Sequence, residues 1–135
     1  MRPGRRAPAL ALALALGPVA AAAQEEALRL PSGLEARVLE VITERSAGIG
    51  LVYRFRYVAE GFAPDAERLD AITADLAWLC KTHALPRVSA MEPRPRQLVI
   101  SLADRASEFG VRDPAVTQVF EAFRPAGDRC DWDMF

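Results

Sequence analysis

The sequence has little of what most enzymes depend on. There is one histidine, His83, and there are two cysteines, Cys80 and Cys130. A Ser-His-Asp or Cys-His arrangement would have to use His83. With the cysteines joined to each other, zinc or copper would lack ligands, and no metal or other cofactor is expected. A glycine-rich phosphate loop is missing. Lysine is also scarce: Lys81 stands alone, and the other basic residues are arginines, a pattern read as coding bias before function. Beyond residue 23 no apolar run is long enough to span a bilayer. The formal net charge is −1, which gives no electrostatic reason to bind nucleic acid. Neither an internal repeat nor an interdomain linker is visible.

What is present starts with the first 23 residues. "MRPGRR" supplies Arg2, Arg5 and Arg6, an uncharged run "APALALALALGPVAAAA" follows, and it ends on Ala21-Ala22-Ala23. Positive, apolar, then small residues is the order of a secretory signal peptide, with cleavage expected between Ala23 and Gln24. Gly17 and Pro18 interrupt the apolar run, which leaves too little of it for a membrane anchor. No cysteine near the cut suggests a lipid anchor. Removing residues 1–23 takes away three arginines and no acid, so the domain left at 24–135 is more acidic than the whole chain. The expected location is the periplasm or the medium, with no stable membrane span after cleavage. Two cysteines in an exported domain argue for one disulfide, Cys80–Cys130. It would close a loop of about fifty residues and contribute on the order of 4 kcal/mol in the chain-entropy model.

Along the domain, Pro31-Ser32-Gly33 is a turn signal. "LEARVLEVITE" (34–44) reads as a strand whose imperfect alternation points to a bulge or to burial on both faces. "LVYRFRYV" (51–58) alternates cleanly, with Tyr53, Phe55 and Tyr57 on one face and Arg54 and Arg56 on the other. These two strands read as a hairpin. The spacing predicts a helix from Asp65, as its cap, to a stop at Pro86. Its buried stripe is Leu69, Ile72, Leu76, Leu79, Cys80 and His83. Residues 86–96, with Pro86, Pro93 and Pro95, read as irregular. "QLVISLAD" (97–104) is a strand with Leu98, Ile100 and Leu102 on one face. "RDPAVTQ" resembles a short helix start with Asp113 as cap. "VFEAFRP" (119–125) and "RCDWDMF" (129–135) read as a second hairpin. In the last strand Cys130, Trp132 and Met134 share the apolar face, so Cys130 can meet Cys80 on the helix. Asp131 and Asp133 face water and protect an edge. A terminal aromatic after an alternating strand is also a feature of outer-membrane barrels, but the chain lacks a series of lipid-facing strands. The expected fold class is α+β: two layers, one main helix packed on a roughly five-stranded, mainly antiparallel sheet.

Candidate functional residues are few. Trp78 lies off the buried stripe and is either tucked under residues 86–96 or exposed as a contact site. Arg54 and Arg56 share a strand face, and Arg87, Arg94 and Arg96 sit in the proline-rich segment. Converging, these five would form an anion-binding surface for a carboxylate, a phosphate or an acidic partner. Otherwise they pair across strands with Glu35, Glu40 or Glu121. His83, on the apolar stripe near the helix end, is expected to pack or cap rather than catalyse. Asp128, Asp131 and Asp133 lack the spacing of a calcium loop and read as solvated edge charges.

The segments "LPSG", "YRFRYV", "DLAWLC", "LVISLADR", "FG", "DPAVTQVFEAFR" and "RCDWDMF" together resemble a family of small exported alphaproteobacterial proteins classed as a domain of unknown function. The resemblance covers nearly all of the mature chain and implies no catalytic or binding residues. Some members are labelled acetolactate synthase. That activity is implausible here, because the enzyme class is several times longer and needs a thiamine diphosphate site. Three readings follow. The leading one is a non-catalytic periplasmic module that binds an unknown protein or a small anionic ligand. The others are a small hydrolase or lyase using carboxylates and arginines, and a structural envelope protein.

Overall fold

The computed structural model describes residues 3–5, 7–15, 17 and 26–134. The cleavage position expected between Ala23 and Gln24, and Phe135, lie outside the described residues. The strands are β1 (Leu28–Arg29), β2 (Glu35–Ser46), β3 (Gly50–Val58), β4 (Gln97–Ala103), β5 (Gln118–Ala126) and β6 (Arg129–Trp132). Among the described residues these six form one sheet in the order β1-β2-β3-β4-β5-β6. A helical segment connects β3 to β4. It passes from a 3₁₀ turn (Ala66–Arg68) into α1 (Leu69–Leu79), a π turn (Cys80–Ala84) and α2 (Leu85–Val88).

The sheet is α+β as expected but mixed, and it has one strand more than the sequence suggests. β3 and β4 run parallel, while every other neighbouring pair is antiparallel. The reason is the connection. A tight turn reverses a chain, but a helix laid across one face returns the next strand in the same direction. The extra strand is β1, whose two residues are too few to show a period in the sequence. It is held by burial of Leu28 and Leu30.

The core forms where the helical segment covers the sheet. Ile72, Leu76, Leu79 and Cys80 pack with Phe55 and Tyr57 of β3, with Leu98, Ile100 and Leu102 of β4, and with Phe123 of β5. Leu69, expected in the stripe, is exposed, because the first turn is 3₁₀ and buries nothing. Asp65 occupies the cap position without a side-chain cap hydrogen bond. Pro86 does not end the helix. It lacks an N–H, and its ring would press on a regular turn behind it. The wider π turn lies just before it, where Leu85 N–H donates to Cys80 O. Pro86 then falls in the first turn of α2, where its missing donor is tolerated.

β2 carries the suspected bulge, between Val38 and Glu40. Before it, Val38 lies opposite Tyr57. After it, Glu40 lies opposite Arg56 and Ile42 opposite Arg54. One extra residue flips the alternation, and so Glu40 is delivered to the face away from the helix. The short helix expected around Asp113 is a turn instead: Asp113 Oδ1 accepts Ala115 N–H at 3.0 Å, and Asp113 O accepts Val116 N–H at 3.1 Å. Residues 111–115 are all exposed, so no apolar face exists to support a helix there.

Cys80 and Cys130 are joined, with Cα atoms 6.2 Å apart. The bond fastens the π turn to β6. Cys130 packs against the core, whereas Trp132 and Met134 are exposed. The π turn that holds Cys80 is where the helical segment meets β6. Asp131 faces water beside Arg129. Asp133 follows it on the same face but is half-buried, because Gln97 Nε2 donates to it at 3.0 Å and Arg124 Nη2 at 3.4 Å. Replacing both cysteines by alanine is expected to lower unfolding free energy by about 2–4 kcal/mol. Urea titration checks this, and adding reductant should then shift the wild type but not the variant.

Candidate functional site

The helical segment covers one face of the sheet. On the other face, Arg54 and Arg56 project from alternate positions of β3, between side chains of β2 and β4. Glu40 lies directly opposite Arg56 and forms an ion pair with its Nη1. Glu44 lies opposite Val52, two residues beyond the partner of Arg54, and reaches Arg54 Nε diagonally at 2.8 Å, a reach that long side chains on one sheet face span readily. Of the acids considered from sequence, Glu40 takes this role. Glu121 instead accepts the Trp132 indole N–H at 2.7 Å, and Glu35 lines a separate cleft with Arg37.

The connection between β4 and β5 folds back over the arginines. Its ends are clasped at Asp104, whose N–H donates to Thr117 O at 3.0 Å and whose Oδ1 accepts Thr117 N–H at 2.9 Å. The Thr117 N–H holds the Asp104 carboxyl below its ordinary pKa, and Arg105 acts in the same direction. Within this loop Ser107 Oγ accepts from Arg56 Nη2 at 3.0 Å. The Phe109 ring stands 5.7 Å from the Arg54 guanidinium carbon and 5.6 Å from that of Arg56, within range of a cation–π contact. Arg56 is only 5 % exposed, yet its charge is answered by Glu40, Ser107 and Phe109.

A cleft of about 200 Å³ opens here, lined by Arg54, Arg56, Ser101, Phe109, Gln118 and Phe120 among others. Its base rests on a small buried cluster of Val52, Val99 and Ala122. Phe109 is 46 % and Phe120 56 % exposed, and Val111 on the same loop is exposed as well. Each guanidinium already has a carboxylate, so the free surface of this site is mainly aromatic. The cleft contains serine hydroxyls but no imidazole to activate them, since His83 packs with Phe55 and Tyr57 on the opposite face of β3.

The other residues singled out in the sequence lie elsewhere. Arg87 lines a cleft of about 190 Å³ with His83, Val38 and Val41. It donates to His83 O at 2.9 Å and pairs with Glu26. Arg94 lines a cleft of about 110 Å³ with Leu85, Val88 and Pro125. Arg96 lies beside the β2–β3 turn, its Cγ 3.1 Å from where a Cβ on Gly50 would sit. Gly50 has φ +109°, so glycine suits it on both counts. Trp78 is half-buried and packs against the main core. The structure therefore joins Arg54 to Arg56 and places Arg87, Arg94, Arg96 and Trp78 apart from them. Sequence reasoning missed Glu44, Ser107, Phe109 and Phe120. Phe120 was accessible to it: in "VFEAFR" the period of two sets Phe120 and Phe123 on opposite faces.

Among the described residues, no three histidine, cysteine, aspartate or glutamate side chains gather in a group that could hold a metal ion. Also among them, no helix is long and apolar enough to cross a membrane.

A family model described as a family of unknown function, DUF6497, matches residues 12–135. The chain belongs to that family. No curated protein and no solved structure matches it.

His83 has a structural place. Its Nδ1 lies 2.7 Å from the Tyr57 hydroxyl, and its ring meets Tyr57 and Phe55 edge-on. Burial lowers its pKa below the ordinary value and the nearby Arg87 lowers it further, while Glu26 opposes both. Burial raises the Tyr57 hydroxyl. Above about pH 6.5 the imidazole is neutral in folded and unfolded chains alike. As pH falls from there toward the folded-state pKa, the unfolded chain binds a proton that the folded one excludes, and stability is lost. The loss is at most about 1.4 kcal/mol per pH unit. His83→Gln keeps a hydrogen-bonding side chain beside Tyr57 without this titration. The stability difference between wild type and H83Q, measured by urea titration from pH 7.5 to 5, is expected to shift toward the variant. A constant difference would mean that His83 titrates normally.

Proposed function

We infer that this protein is an exported, non-catalytic interaction module. It binds a protein partner through the sheet face around Phe109 and Phe120. One observation carries the reading: the half-exposed Phe109 ring stands over an arginine pair that is already neutralised, and the exposed Phe120 ring lines the same cleft. Rings held in place at a cleft are the kind of anchor that dominates protein contacts, since they bury area at little entropic cost. The matching partner surface offers an apolar side chain to fill the cleft and an acceptor for the remaining N–H groups of Arg54. A small anion fits less well, because it would have to compete with Glu40 and Glu44. A hydrolase or lyase reading uses the same cleft, but there each acid is committed to its arginine. Export is supported by the basic, apolar and small-residue order of residues 1–23, and a disulfide suits an oxidising compartment.

Two measurements test this. The first is the intact mass of protein recovered from the periplasm or the medium. A chain beginning at Gln24, alkylated at its thiols only after reduction, is expected; a retained leader with free thiols would overturn the address. The second places a photoreactive phenylalanine analogue at position 109, 120 or 81 in the producing cell. Positions 109 and 120 should give one shared adduct that is missing at Lys81, on the exposed side of the helical segment. No adduct from 109 and 120, or an equal one from 81, would sink the partner-binding reading.

A further inference from the structure

Asp75 is an acid on the buried stripe of α1 and is 1 % exposed. One carboxylate oxygen, Oδ1, accepts the Ser32 backbone N–H at 3.0 Å. That bond holds the Pro31-Ser32-Gly33 turn against the helix. The turn is itself closed by Gly33 N–H to Leu30 O and Leu30 N–H to Leu34 O, both 2.8 Å. The other oxygen, Oδ2, makes no hydrogen bond to a described residue. Yet among the described residues no side-chain oxygen or nitrogen is sealed from solvent without a partner. Oδ2 therefore keeps some contact with solvent, and Asp75 lines the space beside the helix.

That space is a cleft of about 390 Å³, nearly twice the volume of the one between the phenylalanines. Asp75 and Ser32 supply its polar groups, and Leu34, Phe62 and Ile72 supply apolar walls. Arg68 and Ala71 also line it and are exposed. Arg68 is paired to Asp65 at 3.5 Å. A carboxylate has about four acceptor sites and here satisfies one with a neutral donor. Burying it with so few partners is costly. A purely structural link to Ser32 N–H needs a single acceptor, which a neutral amide side chain also provides. In a cleft with apolar walls the second oxygen suits a charged donor, because charge-assisted hydrogen bonds are the strong ones in such surroundings.

We propose that this cleft binds a small monoamine. Its ammonium donates to Asp75 Oδ2, and its apolar body lies against Leu34, Phe62 and Ile72. Arg68 at the rim disfavours a second positive charge, and Asp75 disfavours an anion. A metal ion is a poor fit, since among the described residues Asp75 belongs to no group of three histidine, cysteine, aspartate or glutamate side chains that could hold one. This site lies in the helix layer, away from Phe109 and Phe120, and it stands or falls independently of the partner-binding reading.

The test is a titration of isotope-labelled protein with phenethylamine, followed through the backbone resonances of Ser32, Phe62 and Ile72. 2-Phenylethanol and 3-phenylpropionate serve as neutral and anionic counterparts. Saturable shifts with the amine alone are expected. Asp75→Asn keeps an acceptor for Ser32 and should weaken the amine about ten-fold, the loss of one charge-assisted hydrogen bond. Ala71→Trp, which fills the cleft from the exposed side of the helix and leaves Asp75 in place, should abolish the shifts. No saturable shift with the wild type would overturn the proposal. So would equal binding of the alcohol, or amine binding unaffected by Ala71→Trp.

Discussion

The burial of Ile72, Leu76, Leu79 and Cys80 against one face of the sheet is the constraint on which the rest of this structure depends. Because the helical segment must lie across that face, β4 returns parallel to β3 and sits beside it. The four central side chains of the sheet, Phe55, Tyr57, Leu98 and Ile100, then become core. The disulfide acts on the same contact. It joins the π turn to β6 and so holds the last strand to the helix as well as to β5.

Covering one face leaves the other to the side chains of β2, β3, β4 and β5. There a single structural irregularity matters most. The bulge between Val38 and Glu40 turns the second half of β2 over. Without it Glu40 would point toward the helix side, and Arg56 would be a buried cation without its carboxylate. With it, Arg56 has Glu40, Ser107 and the Phe109 ring around it. The loop that brings Ser107 and Phe109 is closed at its base by Asp104 and Thr117. A bulge and a clasped loop, neither of which belongs to the core, together shape the site.

Legibility in the sequence followed period. The alternation of "LVYRFRYV" separated Phe55 and Tyr57 from Arg54 and Arg56, and the stripe of α1 placed Cys80 where Cys130 could meet it. Signals shorter than a period failed. β1 has two residues, Pro86 looked like a stop because proline usually is one, and Asp113 looked like a cap because a proline follows it. Asp75 was legible and overlooked: it falls on the same helical arc as Ile72 and Leu79, where an acid is out of place.

By itself the sequence determined which faces of the strands and helix are apolar, since side-chain direction follows from periods of two and 3.6. It also determined the cysteine pair, since with two cysteines one pairing exists. Only the tertiary structure decided that β3 and β4 are parallel neighbours, that Phe109 folds over Arg54 and Arg56, and that Asp75 lines a cleft. These depend on where a crossover, a bulge and a loop set segments far apart in the chain. Local patterns carry no record of such distances, because each arises only once the helix has found its face of the sheet.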